Sequence, residues 1–194
     1  MKTVVIVGVG ALGSHVVQFL RNEEAAIRVI DFDRVEQKNV ASQFHGKPSV
    51  GKSKVQSLQQ TMHMLYGEKI QGIPHRLTQD NVKQLLGDAD LVIDCLDNGA
   101  SRRIVQLFVS ASRDSLVPCL HGCLDGAGSF GRVIWDEDFV IDDESEGGAA
   151  TCEDGEHLPF IAIVSAYVAQ AAKVFLRTGK KRGFSVNPAG VLST

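Results

Sequence analysis

Short apolar runs alternate with longer stretches of helical period along the first two thirds of the chain. The runs near 4–7, 28–31, 69–74, 91–94 and 117–121 predict strands, and the stretches near 11–21, 52–65, 79–86 and 101–112 predict helices. Strands that take turns with helices in this way build a doubly wound, mostly parallel α/β sheet of Rossmann-like type. Residues 130–135 follow a Gly-rich turn at 125–128 and predict a further strand, added antiparallel near the sheet edge. Pro159 opens a long apolar helix that reaches about Arg177 before Gly179 stops it, and 184–188 reads as a short strand and tail.

The 194 residues predict one domain, 1–194, large enough to bury a core without disulfides or a structural metal. An apolar fraction of 44% and a charged fraction of 22% are those of an ordinary globular protein, and no apolar run reads as approaching the roughly 20 residues of a membrane span. The first ten residues carry one lysine and lead directly into a glycine turn, so no leader is read there and a cytoplasmic location is expected. A net charge of −3 speaks against nonspecific nucleic-acid binding, and Lys180-Lys181-Arg182 reads as a solvated turn at a helix end. Cys95, Cys119, Cys123 and Cys152 contain no CxxC, so neither zinc nor a disulfide framework is expected. From Asp136 to Glu156 the chain turns acidic around Gly147-Gly148-Ala149-Ala150, which predicts a mobile acidic loop at about 136–157.

The first strand carries the chemistry. Val4-Val5-Ile6-Val7 runs into Gly8-Val9-Gly10-Ala11-Leu12-Gly13, a spacing in which Gly8 allows a tight turn, Gly10 lets backbone approach a phosphate and Gly13 lets the new helix pack on its strand. The helix N-terminus adds free N–H groups and the positive end of its dipole. Asp31, 18 residues after Gly13 at the end of the second strand, suits a carboxylate that accepts from ribose hydroxyls. These features predict a nucleoside phosphate and leave open a nicotinamide cofactor or ATP. Asn39, Lys54 and Asp97 each follow the carboxyl end of a predicted parallel strand, where such sheets bind ligands.

In order, the chain reads Gly8-x-Gly10-x-x-Gly13, Asp31-x-Asp33-x-Val35, Asn39-x-x-x-Gln43, Gly51-x-x-Lys54, Asp94-x-x-Asp97-Asn98 with Arg102, and glycines at 122 and 131. Together these residues resemble the ThiF/MoeB family of adenylyltransferases, prokaryotic relatives of ubiquitin-activating enzymes, over nearly the whole chain. The resemblance implies an ATP- and Mg2+-dependent homodimer that adenylates the C-terminal carboxylate of a small ubiquitin-like or sulfur-carrier protein ending in Gly-Gly, or of a peptide, with no nucleic-acid or membrane partner. Carried over residue by residue, it implies Gly8, Gly10 and Gly13 as the phosphate turn, with Asp31 as the ribose contact and Asp33 beside it. It further implies Asn39 and Lys54 as phosphate contacts and Asp97 as the metal carboxylate. Lys54 and Asp97 are the residues expected to act in catalysis. Cys152 falls where sulfur-transferring members often keep a cysteine, and is the candidate nucleophile for onward transfer to a thiol. Its acidic neighbours Glu153 and Asp154 disfavour the thiolate.

Two departures stand out. The arginine that usually precedes the glutamine matching Gln43 is Ser42 here, and the chain opens on its first strand, where many members have a helix bearing a second arginine. Arg34, Lys38, Lys47 and Lys52 lie near enough in sequence to compensate. His45, His121 and His157 read as ordinary polar residues, since an ionised carboxylate needs no general base. Two other readings stay open. A nicotinamide-dependent oxidoreductase would leave Asn39, Lys54 and Asp97 without a role, whereas a weakened ATP-binding scaffold paired with an active subunit would account for Ser42.

Overall fold

The computed structural model describes residues 1–111, 117–141 and 155–194. The chain runs β1 (Lys2–Val7), α1 (Ala11–Leu20), β2 (Ala25–Ile30), α2 (Lys54–Tyr66), β3 (Gln71–Ile73), α3 (Val82–Leu86), β4 (Leu91–Asp94), α4 (Gly99–Ala111), β5 (Cys119–Leu124), β6 (Gly131–Trp135), α5 (Leu158–Thr178), β7 (Phe184–Asn187) and β8 (Gly190–Ser193). Short 3-10 turns occupy Gln37–Ala41, Lys47–Ser49 and Asp136–Asp138. One sheet holds all eight strands in the order β3-β2-β1-β4-β5-β6-β7-β8, parallel from β3 to β5 and antiparallel from β5 onward.

The central strands β1 and β4 are apolar through Val4–Val7 and Leu91–Ile93 because both of their faces are buried. Val4, Ile6, Leu91, Ile93 and Leu120 face a core shared with α1, α2 and α5, through Val16, Leu58, Val164 and Val168 among others. Val5, Val7, Val92 and Cys119 face the opposite core, under Val82 and Leu86 of α3 and Val105 and Val109 of α4. Fully burying one such aliphatic side chain contributes roughly 1.5–3 kcal/mol, so a core of this extent holds the sheet without a covalent staple.

Chain order reverses between β1 and β4. The connection from β1 leads away to β2 and β3, the chain returns to β4 on the other side, and a crevice opens beyond the carboxyl ends of the two strands.

Four expectations change in the structure. The strand at 131–135 is interior rather than near an edge, because the hairpin of β7 and β8 is added beyond it. The expected tail after β7 is the strand β8, turned by Asn187, whose Oδ1 accepts from the amides of Ala189 and Gly190. The acidic stretch begins as ordered structure, a 3-10 turn at Asp136–Asp138, while its residues 142–154 lie outside the described residues. Finally, α5 has 21 residues with a window of mean hydropathy 1.6, long and apolar enough by length and composition to cross a membrane. Here it packs on the sheet, burying Phe160, Ile161, Val164, Val168, Ala171 and Ala172.

Candidate functional site

Register alone brings three chain segments to one level. Val7 lies opposite Ile30 on β2 and opposite Asp94 on β4, so the residues that follow each of them emerge side by side at the carboxyl edge. The Gly8 amide donates to the Ile30 carbonyl at 2.9 Å, and the Cys95 amide to the Val7 carbonyl at 2.9 Å. Gly8 takes φ +85°, and a Cβ on it would meet the Cys95 carbonyl oxygen at 2.9 Å, so both the turn and the close approach of β4 demand glycine. Gly13 is tighter still: its Cβ would lie 1.9 Å from the Gly8 carbonyl oxygen. Gly10 sits before the first turn of α1, where the nearest atom to an added Cβ is Gln43 Nε2 at 3.9 Å.

Asp31 locks this turn to the second strand. One carboxylate oxygen accepts from the Val9 amide at 2.9 Å and the other from the Asp33 amide at 2.8 Å. Burial pushes its carboxyl above the ordinary range, opposed by Lys54 and these two amides. The Lys54 amide donates to the Asp33 carbonyl at 2.9 Å, which sets the start of α2 against the end of β2. The Lys54 ammonium, on a buried residue, then reaches the half-exposed Asp33 carboxylate at 3.0 Å. Asn39 is buried, and its Oδ1 accepts from the Glu36 amide in a reciprocal cap. The donor half of its amide is the half a phosphate would need.

Asp97 stands exposed between β4 and α4, on the opposite side of the crevice from Lys54. The residues around it are fixed: Asp94 Oδ1 accepts from the Leu96 amide at 2.9 Å, Arg102 Nε donates to the Leu96 carbonyl at 2.9 Å, and Asn98 Oδ1 accepts from the Ser101 amide at 2.8 Å. Cys152 lies outside the described residues.

Several features of this edge are not legible in the sequence. Among the described residues, Ser42 Oγ, Gln43 Oε1 and Ser53 Oγ are buried side-chain atoms without a hydrogen-bond partner. Buried polar atoms are nearly always satisfied, and these orphans fall on Gln43, whose amide reaches Gly10, on its neighbour Ser42 and immediately before Lys54. Gln43 was visible as a motif position, but its reach back to Gly10 was not. Of the cations expected to compensate for Ser42, three are engaged elsewhere: Arg34 donates to the Gly51 carbonyl at 2.7 Å, Lys38 pairs with Glu36 at 3.5 Å, and Lys52 reaches Gln60 at 3.5 Å. Two concavities of about 430 and 480 Å³ lie away from this edge, along β6 and β7 and at the amino ends of β1 and β2, so shape alone does not single it out. Among the described residues no group of three or more His, Cys, Asp or Glu side chains is arranged to enclose a metal.

Two histidines expected to be ordinary polar residues are interior. His45 Nε2 lies 3.0 Å from the Val9 carbonyl and Nδ1 lies 3.2 Å from Ser57 Oγ. A carbonyl only accepts, so Nε2 carries the proton and Nδ1 accepts from the serine hydroxyl. Burial pushes the imidazole down to about 4, with Lys54 and His15 acting in the same direction against the Val9 hydrogen bond. Unfolding therefore takes up a proton at His45 between pH 6.5 and 4. The contribution is fully present above pH 6.5 and declines as pH falls, by about 2–3 kcal/mol at pH 4.5. Denaturant titrations at pH 7 and 4.5 are expected to show a pH dependence flatter by about that amount in His45→Gln. An unchanged slope would refute the neutral buried imidazole.

Residues 1–187 match the ThiF family. The chain is 35% identical over 108 residues to the adenylyltransferase and sulfurtransferase MOCS3 of Aedes aegypti, covering 54% of this chain and 24% of that protein. It is 34% identical over 106 residues to the sulfur carrier protein adenylyltransferase of Thermus thermophilus, covering 53% of this chain and 39% of that one. The chain thus spans less than half the length of either relative. Among solved structures, E. coli MccB with MccA-N7isoASN superposes over 100% of this chain and 64% of its own at a TM-score of 0.78 and 17% identity, a likeness of fold. Its glycine turn, its crevice and the length of the match make this chain a member of the ThiF family.

Proposed function

We propose that the chain is an ATP-dependent adenylyltransferase that activates the C-terminal carboxylate of a small ubiquitin-like or sulfur-carrier protein, or of a peptide. The observation that carries this reading is the gathering, at one sheet edge, of the locked glycine turn, the Lys54–Asp33 pair and the Asp97 turn beside unpartnered buried polar atoms. The Gly8 and Val9 amides are engaged by Ile30 and Asp31, so the amides from Gly10 into the first turn of α1 are those that would meet a phosphate, and Asp31 keeps lone pairs for ribose hydroxyls. In adenylation a bond forms from the carboxylate oxygen to the α-phosphorus while the bond to pyrophosphate breaks. The attacking group is already an anion, so the barrier is repulsion between like charges rather than removal of a proton. Lys54, with the donor side of Asn39, offsets that repulsion and then stabilises the departing pyrophosphate. Asp97 would hold Mg2+, which supplies charge neutralisation at phosphate oxygens. A single exposed carboxylate fits that ion, which takes one or two protein carboxylates and completes its shell with phosphates and water. The reading extends to a homodimer, a carrier ending in Gly-Gly and onward transfer to a thiol.

Pyrophosphate exchange into ATP, with and without a candidate carrier ending in Gly-Gly, tests the reaction; carrier-dependent exchange is the expected result. Thermal melts test the ligand. Mg-ATP at ~100 times its dissociation constant is expected to add about 2.7 kcal/mol, more than NAD or NADP. Stabilisation by NAD but not by Mg-ATP would overturn the reading. A second reading, a weakened ATP-binding scaffold, is favoured by Ser42 and by the engagement of Arg34, Lys38 and Lys52 elsewhere. It predicts stabilisation by Mg-ATP without exchange.

A further inference from the structure

A second group of charged side chains lies buried behind the Asp97 turn. His121, on β5, is fully enclosed, with Nδ1 2.8 Å from Asp94 Oδ2 and Nε2 3.1 Å from Asp136 Oδ1. Both ring nitrogens face carboxylates, so both donate and the ring is an imidazolium. Burial by itself would push the ring down, but Cys119 and the carboxylates of Asp136 and Asp94 outweigh it and push it up to about 11. Arg102 of α4 lies 3.6 Å from Asp94 Oδ2, which gives two cations for two carboxylates.

The cluster reaches in two directions. Asp94 and Arg102 hold, respectively, the amide and the carbonyl of Leu96, the residue immediately before Asp97. On the other side, His121 holds Asp136 and stacks on the Phe139 ring, with centroids 3.9 Å apart and planes at 15°. The Phe139 carbonyl accepts from Gln106 of α4 at 2.9 Å, and the Arg102 guanidinium lies 5.5 Å from the centre of the same ring. No residue of this cluster other than Asp94 and Arg102 belongs to the motifs that mark the nucleotide edge. We propose that His121 is a positioning residue for the adenylation site, bridging Asp94 and Asp136 so that the turn presenting Asp97 and the segment 136–141 are held as one rigid unit. The assignment rests on the adenylyltransferase reading for its catalytic consequence and on geometry alone for its mechanical one.

The mechanical consequence is read by backbone hydrogen exchange on the full chain without ligand, comparing wild type, His121→Gln, Asp136→Asn and the double variant. His121→Gln is expected to speed exchange at least tenfold at Leu96 and across 136–141, while the Val9 amide, held by Asp31, keeps its wild-type rate. Asp136→Asn, at the more accessible end of the bridge, serves if the core substitution does not fold, and is expected to loosen 136–141 more than Leu96. If the two residues act through one bridge, the double variant exchanges no faster than His121→Gln. The catalytic consequence is read by pyrophosphate exchange, where His121→Gln is expected to lower kcat about tenfold, with KM for ATP within twofold and a several-fold higher half-saturating Mg2+ concentration. Faster exchange spread evenly over the sheet, an unchanged Leu96 amide, or additive effects in the double variant would overturn the bridge. Absence of pyrophosphate exchange in the wild type would overturn the adenylyltransferase reading instead, and hydrogen exchange would still decide the role of His121.

Discussion

Replacing Gly13 with alanine is expected to destabilise the fold by about 3 kcal/mol or more and to abolish stabilisation by Mg-ATP. The added methyl group would sit 1.9 Å from the Gly8 carbonyl oxygen and 3.2 Å from Cys95 Cβ, and neither neighbour can swing aside. Overpacking of a tight core contact costs roughly 1–3 kcal/mol when side chains can adjust, and this obstruction is backbone. The turn must open or α1 must lift from its strand, and either movement separates Val9 from Asp31. Gly10→Ala provides the contrast. Its methyl group would have 3.9 Å to the nearest atom, the movable Gln43 amide, so the fold is expected to lose no more than about 1 kcal/mol. On the proposed reading, the same methyl group would fill the face that a phosphate approaches. Melts of the two variants with and without Mg-ATP separate the roles: Gly13→Ala is expected to melt early in both conditions, Gly10→Ala near wild type but without a ligand shift. A Gly13→Ala protein with wild-type stability would refute the packing, and a full ligand shift in Gly10→Ala would refute the placement of the phosphate.

On the proposed reading, Lys54→Met and Asp97→Asn are each expected to lower adenylate formation by on the order of 10²-fold or more, because each would remove a charge that balances the phosphates where anion meets anion. Neither residue holds up the core. Losing Lys54 releases Asp33, which is half-exposed and can be hydrated, and removes one charge that favours the Asp31 carboxylate, whose two amide hydrogen bonds remain; an asparagine at 97 keeps the oxygen that accepts from Asn98 Nδ2 at 3.4 Å. Single-turnover measurements together with melting curves give the check. Lost adenylation with retained stability is the expected pattern for both variants. Unchanged adenylation in Asp97→Asn would reduce that carboxylate to a surface residue and remove the support for Mg2+ there.

The parts of the fold that could be read in advance are those written in consecutive residues. An apolar run ending in Gly8-x-Gly10-x-x-Gly13 allows little besides strand, turn and helix, and Asp31 announces itself by ending the second strand. Lys54 is singled out by the Gly51-x-x-Lys54 spacing and by its place after the second strand, and the structure sets it against Asp33 at the end of β2. The hairpin of β7 and β8 was missed although Asn187-Pro188-Ala189-Gly190 is a turn signal, since the strand beyond it is short and largely exposed. The burial of His121 between two carboxylates is illegible in the sequence for a different reason. Its partners lie 27 residues before it and 15 after it, and they meet only once β4 and β5 pair in register and the 3-10 turn folds back beneath them. A histidine within an apolar strand carries no local mark of that arrangement. The position of β6 was likewise beyond local pattern, because an interior antiparallel strand is defined by what is added outside it.

The two hydrogen bonds that Asp31 accepts also bear on how inactive descendants of such a protein can be recognised. A copy freed from selection for nucleotide binding would still need a carboxylate at position 31, because without it the Val9 and Asp33 amides lose their acceptors and the glycine turn its tie to β2. Aspartate there testifies to folding before it testifies to function. Lys54 and Asp97 carry no such obligation, so mutation can erase them while the architecture survives. If the proposed roles of Lys54 and Asp97 hold, a genomic survey for working enzymes should weigh those two positions and give little weight to an intact aspartate at position 31.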